Sequence, residues 1–438
     1  MKTESALKLV QNAYLNYGQY VNSVRSLPHI NDGLKIVQRR ILLAAKDSGA
    51  ASDMVKTASV SGNTLAKYHP HGDASTNAAI ETLVNKHHSL LLGKGNWGYH
   101  KGFTSVGAAA ARYTSLKLSE LGNEYLKYKD YAPKFENDLS YQEPEYLPYC
   151  IPYALLSGTS GIGIGITCNI PAITTKSLVQ YIEWYLTGKG SRPLLYPSAT
   201  GGGWITYTEE DIINLNDKGH CNVTVGANVN NEWDPVEGKY GIVITGNPDR
   251  INYNRIKRAL ARELEEKLVF IRDESKTNTR IIIHRYERIR KISDEELLSI
   301  IKSSVTRNIH HLCVVSDGKI ARTIGVREWL ETSISAGMAG YSGSIESQFK
   351  KLKLELKFHE IRPQLAKLLI SDTELSIIKD KLLLSQDEFD YCINKSIKSL
   401  SSKEFPIKLI SDKIDIVKDK LSKTEYYYFK ELNVGAIK

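Results

Sequence analysis

The spacing of apolar residues divides the chain into three stretches of different period. Residues 5 to 24 carry apolar side chains at helical spacing, and Arg25-Ser-Leu-Pro28 ends that helix. Asn31-Asp32-Gly33 reads as a turn, followed by a helix from Leu34 to about Ala45. Two short helices follow, about Thr57 to Lys67 and Asp73 to Val84, separated by the tight turn Tyr68-His-Pro-His-Gly72. Asp73 is placed to cap the second, and the pair forms a helix-turn-helix pattern. Residues 125 to 150, rich in Tyr and Pro, read as an irregular connector.

Further on, the period mixes. Thr175 to Leu186 is helical, and Tyr240 to Thr245 and Arg280 to His284 are β-branched runs expected to form strands. Between those runs, Ile256, Leu260 and Leu264 line one helix face, with Arg255, Lys257, Arg258 and Arg262 around it. That basic side is either an ordinary solvated face or a contact for flanking nucleic acid. Ser293-Asp-Glu-Glu296 is a capping box opening a helix to about Ser304. His311 to Val315 with Asp317-Gly318 begins a hairpin.

From about residue 331 the pattern becomes heptad-like. Ile345, Phe349, Leu352 and Leu356 form one stripe, and Leu354, Phe358, Ile361 and Leu365 a parallel one. Ile407, Ile410, Ile414, Val417 and Leu421 repeat the spacing later. Such arms fit an antiparallel coiled coil, with Pro363 expected to kink the first, and Tyr426 to Phe429 expected to pack back on the body. The expected fold is therefore α+β and multidomain: a winged-helix (helix-turn-helix) head over 1–150, an α/β tower over 151–330 and a C-terminal coiled-coil dimerisation gate over 331–438.

Composition narrows the class without naming it. The 438 residues are 42% apolar, enough for real cores. A net charge of +9 permits a polyanionic partner, though a basic surface alone is usually only a soluble one. Five cysteines (Cys150, Cys168, Cys221, Cys313, Cys392), with no CxxC pair, read as reduced thiols rather than a disulfide frame or a zinc site. The N-terminus has no signal-peptide core, and no apolar run approaches the roughly 18 residues of a membrane span, so a soluble cytoplasmic protein with no membrane partner is expected.

The candidate chemistry lies in the first quarter. Ala108-Ala-Ala-Ala-Arg112-Tyr113-Thr114 sets a permanent cation beside a phenol. Arg112 can stabilise both a phenolate and the oxygens of an attacked phosphate, and the small residues let a phosphate backbone approach. Taken alone, a tyrosine after an alanine run is more often half-buried in a core. His69-Pro70-His71 could be half of a metal site, but basic surroundings favour a histidine bonded to phosphate. Lys35 and Arg39 share a helix face and Arg40 points away from it; a solvated face is the plainer reading. Gly93-Lys-Gly95-Asn-Trp97-Gly98 spells a dinucleotide fingerprint, but Tyr99 to Gly107 is no helix start, and a loop passing close to another backbone is expected.

Taken in order, these segments carry a resemblance. Arg25…Asp32-Gly-Leu-Lys35…Arg39-Arg40, Lys67-Tyr-His-Pro-His-Gly-Asp73, Gly95-Asn-Trp-Gly98 and Ala-Ala-Arg112-Tyr113-Thr114 resemble the breakage-reunion subunit of type IIA DNA topoisomerases. Leu155-Leu-Ser-Gly158-Thr-Ser-Gly161-Ile162-Gly-Ile-Gly165, Asn169-Ile-Pro171, Thr200-Gly-Gly-Gly203 and Ile271-Arg-Asp-Glu-Ser275 extend it, and it fades after about residue 330. The resemblance implies that Tyr113 is the nucleophile linked to a DNA 5′ phosphate and that Arg112 stabilises the transition state. It implies that Arg25 and His69 act on the scissile phosphate, with Lys35, Arg39, Arg40, Lys67 and His71 around the DNA. Ile162 is implied as a wedge between base steps; a buried strand residue is the alternative on composition.

The chain has no GxxxxGK[ST] loop and no acidic triad of the Toprim type. The resemblance therefore implies that Mg2+ and ATP are both bound by a large ATPase/Toprim subunit, as in the split form of the enzyme in large phages. Further implied partners are double-stranded DNA and a second copy of this chain. Departures from the family pattern are Ile36 in place of the usual proline, Ser157 in place of an asparagine, and Ala74 and Ala78 where bacterial members carry a serine and an acid that anchor quinolones. The rival expectations are a DNA-bending architectural protein that kept the fold and lost the chemistry, and a transcription factor built on the helix-turn-helix.

Overall fold

The computed structural model describes residues 6–98, 106–246, 248, 253–263, 269–275, 278–285, 293–371, 374–394 and 407–432. Within them the chain is a mixed α+β protein. It divides into two compact units, one extending to Gly337 and the other spanning Met338–Leu432. Of the sequence expectations, Leu264 and Tyr99 to Ser105 fall outside the described residues, as do the side chains of Lys257, Leu260, Arg262 and Phe429.

The first unit opens with the helix Ala6–Val21, which passes into a wider π-helical turn, Asn22–Ser26, closed by Leu27 N–H donating to Asn22 O at 3.0 Å. The next helix is Ile36–Asp47, starting two residues later than its pattern suggests. Gly33 sets that start. Its φ is +66°, and a Cβ there would stand 2.6 Å from Tyr153 N, so the chain turns tightly before an extended Leu34-Lys35. Gln38 then reaches back to accept from the Lys35 N–H at 2.9 Å, satisfying one free donor of the helix start.

The two helices of the helix-turn-helix pattern are present as Thr57–Asn63 and Asp73–Asn85, with a second π-helical turn, Thr64–Tyr68, between them. A three-stranded antiparallel sheet stands beside them, with Ser115–Leu118 between Val55–Lys56 and Leu91–Lys94. The Gly-rich loop after Leu91–Lys94 passes against backbone as expected: a Cβ on Gly98 would stand 2.4 Å from Val106 O. The stretch 125–150 is more ordered than a connector. It holds the hairpin Lys134–Glu136/Gln142–Pro144, and Tyr125 and Tyr149 are buried with rings 4.5 Å apart.

A five-stranded sheet follows, in which Thr306–Leu312 pairs with His220–Gly226 on one side and meets Thr167–Ile170 on the other. A four-stranded sheet has the anticipated strands Lys239–Thr245 and Arg280–Arg285 as antiparallel neighbours. Ser293 caps Asp294–Ser304, its hydroxyl accepting from Glu296 N–H, and Val314–Ser316 pairs with Ala321–Thr323 as the expected hairpin. All five cysteines are buried, and none forms a disulfide.

The long helix Val326–Ile370 begins in the first unit, where the Trp329 indole donates to Ile30 O at 2.7 Å. It runs on through Pro363. In the second unit, Phe358, Ile361 and Leu365 bury against Ile378, Leu384 and Cys392 of the short helices that follow. On the helix Ile407–Ser422, Ile410, Ile414 and Val417 are buried, and the Tyr428 ring lies tilted against that of Tyr341 with ring centres 5.6 Å apart. No described helix is long and apolar enough to cross a membrane.

Candidate DNA-cleavage site

Two π-helical turns bring cationic and imidazole side chains together. Arg25 lies in the first, exposed to solvent, and His69 directly follows the second, where its N–H donates to Thr64 O at 2.8 Å. Such turns widen the helix and re-aim the residue that ends them. His69 and His71 stack with ring centres 4.2 Å apart, and the charges of Arg25 and Arg40 act on both rings.

Arg40 fixes the state of His69. Its Nη1 is 3.2 Å from His69 Nδ1. A guanidinium can only donate, so Nδ1 is the acceptor and the proton sits on Nε2. Burial, then His71, Arg40 and Arg25, push the His69 pKa down to about 4. At neutral pH this histidine is uncharged and offers an Nε2–H donor, suited to a phosphate oxygen. Arg40 is itself held by Glu143, with Nη2 to Oε1 at 2.6 Å and Nε to both carboxylate oxygens at 3.0 and 3.1 Å.

Arg39 is placed differently from the DNA-facing position expected of it. It is buried, with Nε 2.8 Å from Asp32 Oδ2 and Nη2 3.2 Å from Oδ1. The shared helix face of Lys35 and Arg39 does not form, because Lys35 precedes the helix. Both arginines point inward to carboxylates, which overturns the solvated-face reading. Neither acid was visible as a partner in sequence: Asp32 read as a turn residue, and Glu143 lies 103 residues from Arg40 in a segment taken for a connector.

Lys35 donates from Nζ to Ser160 O at 2.8 Å, and burial lowers its pKa. Lys67 pairs with Asp47 at 3.1 Å in a partly exposed position, sharing that carboxylate with the Tyr68 hydroxyl. His71 is partly buried, and its Nδ1 is enclosed without a hydrogen-bond partner among the described residues.

The Arg112–Tyr113 pair stands on a braced loop. Thr57 N–H donates to Thr114 O and Ala58 N–H to Ala111 O, so the loop carbonyls take up free donors at the start of Thr57–Asn63. Ala108 N–H donates to Glu81 Oε1 at 3.0 Å and Ala109 N–H to Asn96 O at 3.0 Å. Tyr113 is nevertheless 66% exposed, against the core reading, and its hydroxyl has no hydrogen-bond partner among the described residues. The Arg112 guanidinium carbon lies 4.6 Å from its ring centre.

Ile162 closes the strand Thr159–Ile162, paired with Thr167–Ile170, and is 84% exposed. The buried-strand alternative is thereby excluded. Ala74 and Ala78 are exposed on the helix Asp73–Asn85. Among the described residues no three His, Cys, Asp or Glu side chains converge as a metal site. His69 and His71 have no third such side chain beside them among those residues.

Burial of neutral histidines gives an acid-sensitive fold. His29, His69 and His88 all have pKa values lowered to about 4, burial being the first cause in each. The unfolded chain takes up these protons near 6.5 and the folded chain only near 4. The stabilisation is complete above the unfolded value and is lost as pH falls from about 6.5 towards 4. The urea midpoint should therefore drop between pH 7 and pH 5.5, above the range where carboxylates titrate. A level midpoint over that interval contradicts it.

The family model that describes the A-subunits of DNA gyrase and topoisomerase IV matches residues 25–433 of this sequence. The chain belongs to that family of type IIA topoisomerase subunits. It is 33% identical over 304 residues to the DNA gyrase A-subunit of Ureaplasma parvum serovar 3, covering 65% of this chain and 35% of that one. It is 32% identical over 299 residues to the DNA topoisomerase 4 A-subunit of Escherichia coli K12, covering 63% and 38%. The DNA topoisomerase 4 A-subunit of Neisseria gonorrhoeae is 30% identical over 309 residues, covering 66% and 40%. The matched stretches thus span well under half the length of these relatives.

Proposed function

We propose that this chain is the DNA-cleaving and rejoining subunit of an ATP-dependent type II topoisomerase. It acts as a homodimer with a partner that carries the ATPase and Toprim parts. The observation that carries the reading is the exposed Tyr113, whose hydroxyl has no hydrogen-bond partner among the described residues, with Arg112 over its ring. The Tyr113 oxygen attacks a backbone phosphorus in line. The new Oη–P bond forms as the P–O3′ bond breaks, the phenolic proton is lost to solvent, and the 3′ oxygen leaves with the electron pair and is then protonated. Arg112, Arg25 and the Nε2–H of His69 neutralise the phosphate oxygens, while Arg40 holds His69 in that tautomer. Mg2+ held by the partner adds charge stabilisation at the phosphate. The phosphotyrosyl ester keeps the bond energy, so the reverse attack reseals the strand without a cofactor.

In this reading residues 1–150 are a winged-helix gate, 151–330 a tower, and 331–438 a dimerisation gate, in the split arrangement found in large phages. Relaxation and decatenation are the expected outcomes. Ile162 inserts between base steps and bends the duplex. The small side chains of Ala74 and Ala78 leave quinolones without their anchor, so drug-stabilised cleavage should be weak; strong breaks at low drug concentration contradict this.

The test mixes the chain with its ATPase/Toprim partner, supercoiled plasmid and Mg2+, and stops the reaction with detergent. Protein-linked linear DNA is expected. Bound but intact plasmid across a range of Mg2+ favours the architectural rival.

A further inference from the structure

We propose that Asn22 and Ser26 are positioning residues that join the Arg25 turn and the Ile162 hairpin into one unit, so that seating of the wedge sets the cation at the scissile phosphate. The proposal rests on the cleavage reading above. Arg25 stands on a π-helical turn whose first and last residues both grip the hairpin tip. The Asn22 amide donates from Nδ2 to Ile164 O at 3.1 Å, and its Oδ1 accepts from Ile164 N–H at 2.8 Å. Ser26 Oγ donates to Ile162 O at 2.8 Å.

Two glycines of the hairpin make this approach possible. A Cβ on Gly163 would stand 2.0 Å from Asn22 Oδ1, and one on Gly161 would stand 2.0 Å from Ser26 O. The root of the hairpin is held as well: Lys86 Nζ donates to Ser157 O and Gly158 O at 3.0 and 3.2 Å, and Lys35 Nζ to Ser160 O. A hairpin needed only as a wedge would require the root bonds. The tip bonds lead instead to the backbone on either side of Arg25. Displacement of Ile162 by a base step is thus carried to Arg25 through directional bonds over a short path.

The experiment uses the full chain, its ATPase/Toprim partner and a short duplex labelled at both ends, reading bending by energy transfer and cleavage by detergent-trapped product. Ile162→Ala should lose both. Asn22→Ala should bend DNA as the native protein does, yet form about tenfold less linked product, the scale of one or two hydrogen bonds. Ser26→Ala should show a smaller loss of the same kind, and Asn22→Asp, which keeps the acceptor, should recover part. The double variant Asn22→Ala/Ile162→Ala should be no worse than its poorer parent. Bending that falls in step with cleavage in Asn22→Ala would make its role merely structural and overturn the proposal. So would native-level cleavage by Asn22→Ala, or losses that multiply in the double variant. If Asn22→Ala melts early, Ser26→Ala decides by the same criteria. A native protein that makes no linked product sinks the cleavage reading and this inference with it, whereas an Ile162→Ala variant that still bends DNA, with native cleavage intact, sinks the wedge role and this inference and leaves the cleavage reading standing. Native cleavage with straight DNA in Ile162→Ala and full activity in Asn22→Ala sinks the coupling alone.

Discussion

Tyr113→Phe is expected to abolish protein-linked DNA, a loss of more than about a thousandfold, with DNA affinity changed by less than about twofold. The variant removes one oxygen from a side chain that is exposed and whose hydroxyl makes no hydrogen bond among the described residues, so little loss of stability is expected. The ring and its contact with Arg112 remain. DNA affinity generally comes from phosphate contacts spread over a surface, and on the proposed reading loss of one hydroxyl leaves these untouched. The separation of the two effects is the informative result. Equal losses of binding and cleavage would mean that the phenol anchors DNA rather than attacking it. Arg112→Lys keeps the charge but loses the planar fork that can hold two phosphate oxygens, and should fall between native and Tyr113→Phe in cleavage rate.

Asp32→Asn is expected to be the most damaging small change to stability, about 3–5 kcal/mol. Asp32 is fully buried and accepts from Leu34 N–H, Leu147 N–H and two nitrogens of Arg39. All of these partners are donors. Asparagine has the same shape, but one of its two groups is an NH2, which would face donors whichever way it is turned. It also leaves the Arg39 charge buried without a counter-ion. Domains are stable by only about 5–15 kcal/mol, so the first unit should melt much earlier. Combining Asp32→Asn with Arg39→Met removes the orphaned charge and should recover part of the loss. A shift under about 1 kcal/mol for the single variant contradicts the account of this pair.

The contrast between these positions shows what the sequence could reveal. Tyr113, Arg112 and His69 lie in short segments that taken singly read as core or solvated positions, and their order along the chain is what carries the family resemblance. The exposure of Ile162 was not legible from composition, which favours a buried strand residue; the glycines around it only allow it to stand out, and the resemblance alone pointed there. The helical stripes were legible because apolar residues recur at a fixed spacing. Arg39 and Arg40 were misread for a physical reason. Their helix begins two residues late because Gly33 takes a positive φ, and their counter-ions come from a turn and from a strand 103 residues away. No periodicity encodes a non-local ion pair, and a buried arginine looks the same in sequence as a solvated one. Asn22 and Ser26 escaped notice for the same reason: their partners lie more than 130 residues on. In the second unit the expected coiled-coil stripe Leu354, Phe358, Ile361, Leu365 is buried at its last three positions and half-buried at Leu354, and the partners are Ile378, Leu384 and Cys392, a choice that spacing alone does not make.

The most direct measurement is to identify the residue joined to DNA. The detergent-trapped complex is digested with nuclease and protease, and the peptide carrying a residual nucleotide is sequenced by mass spectrometry. The account predicts a nucleotide on Tyr113 through its 5′ phosphate, and on no other of the 25 tyrosines. A nucleotide on a different residue, or attachment through a 3′ phosphate, contradicts it.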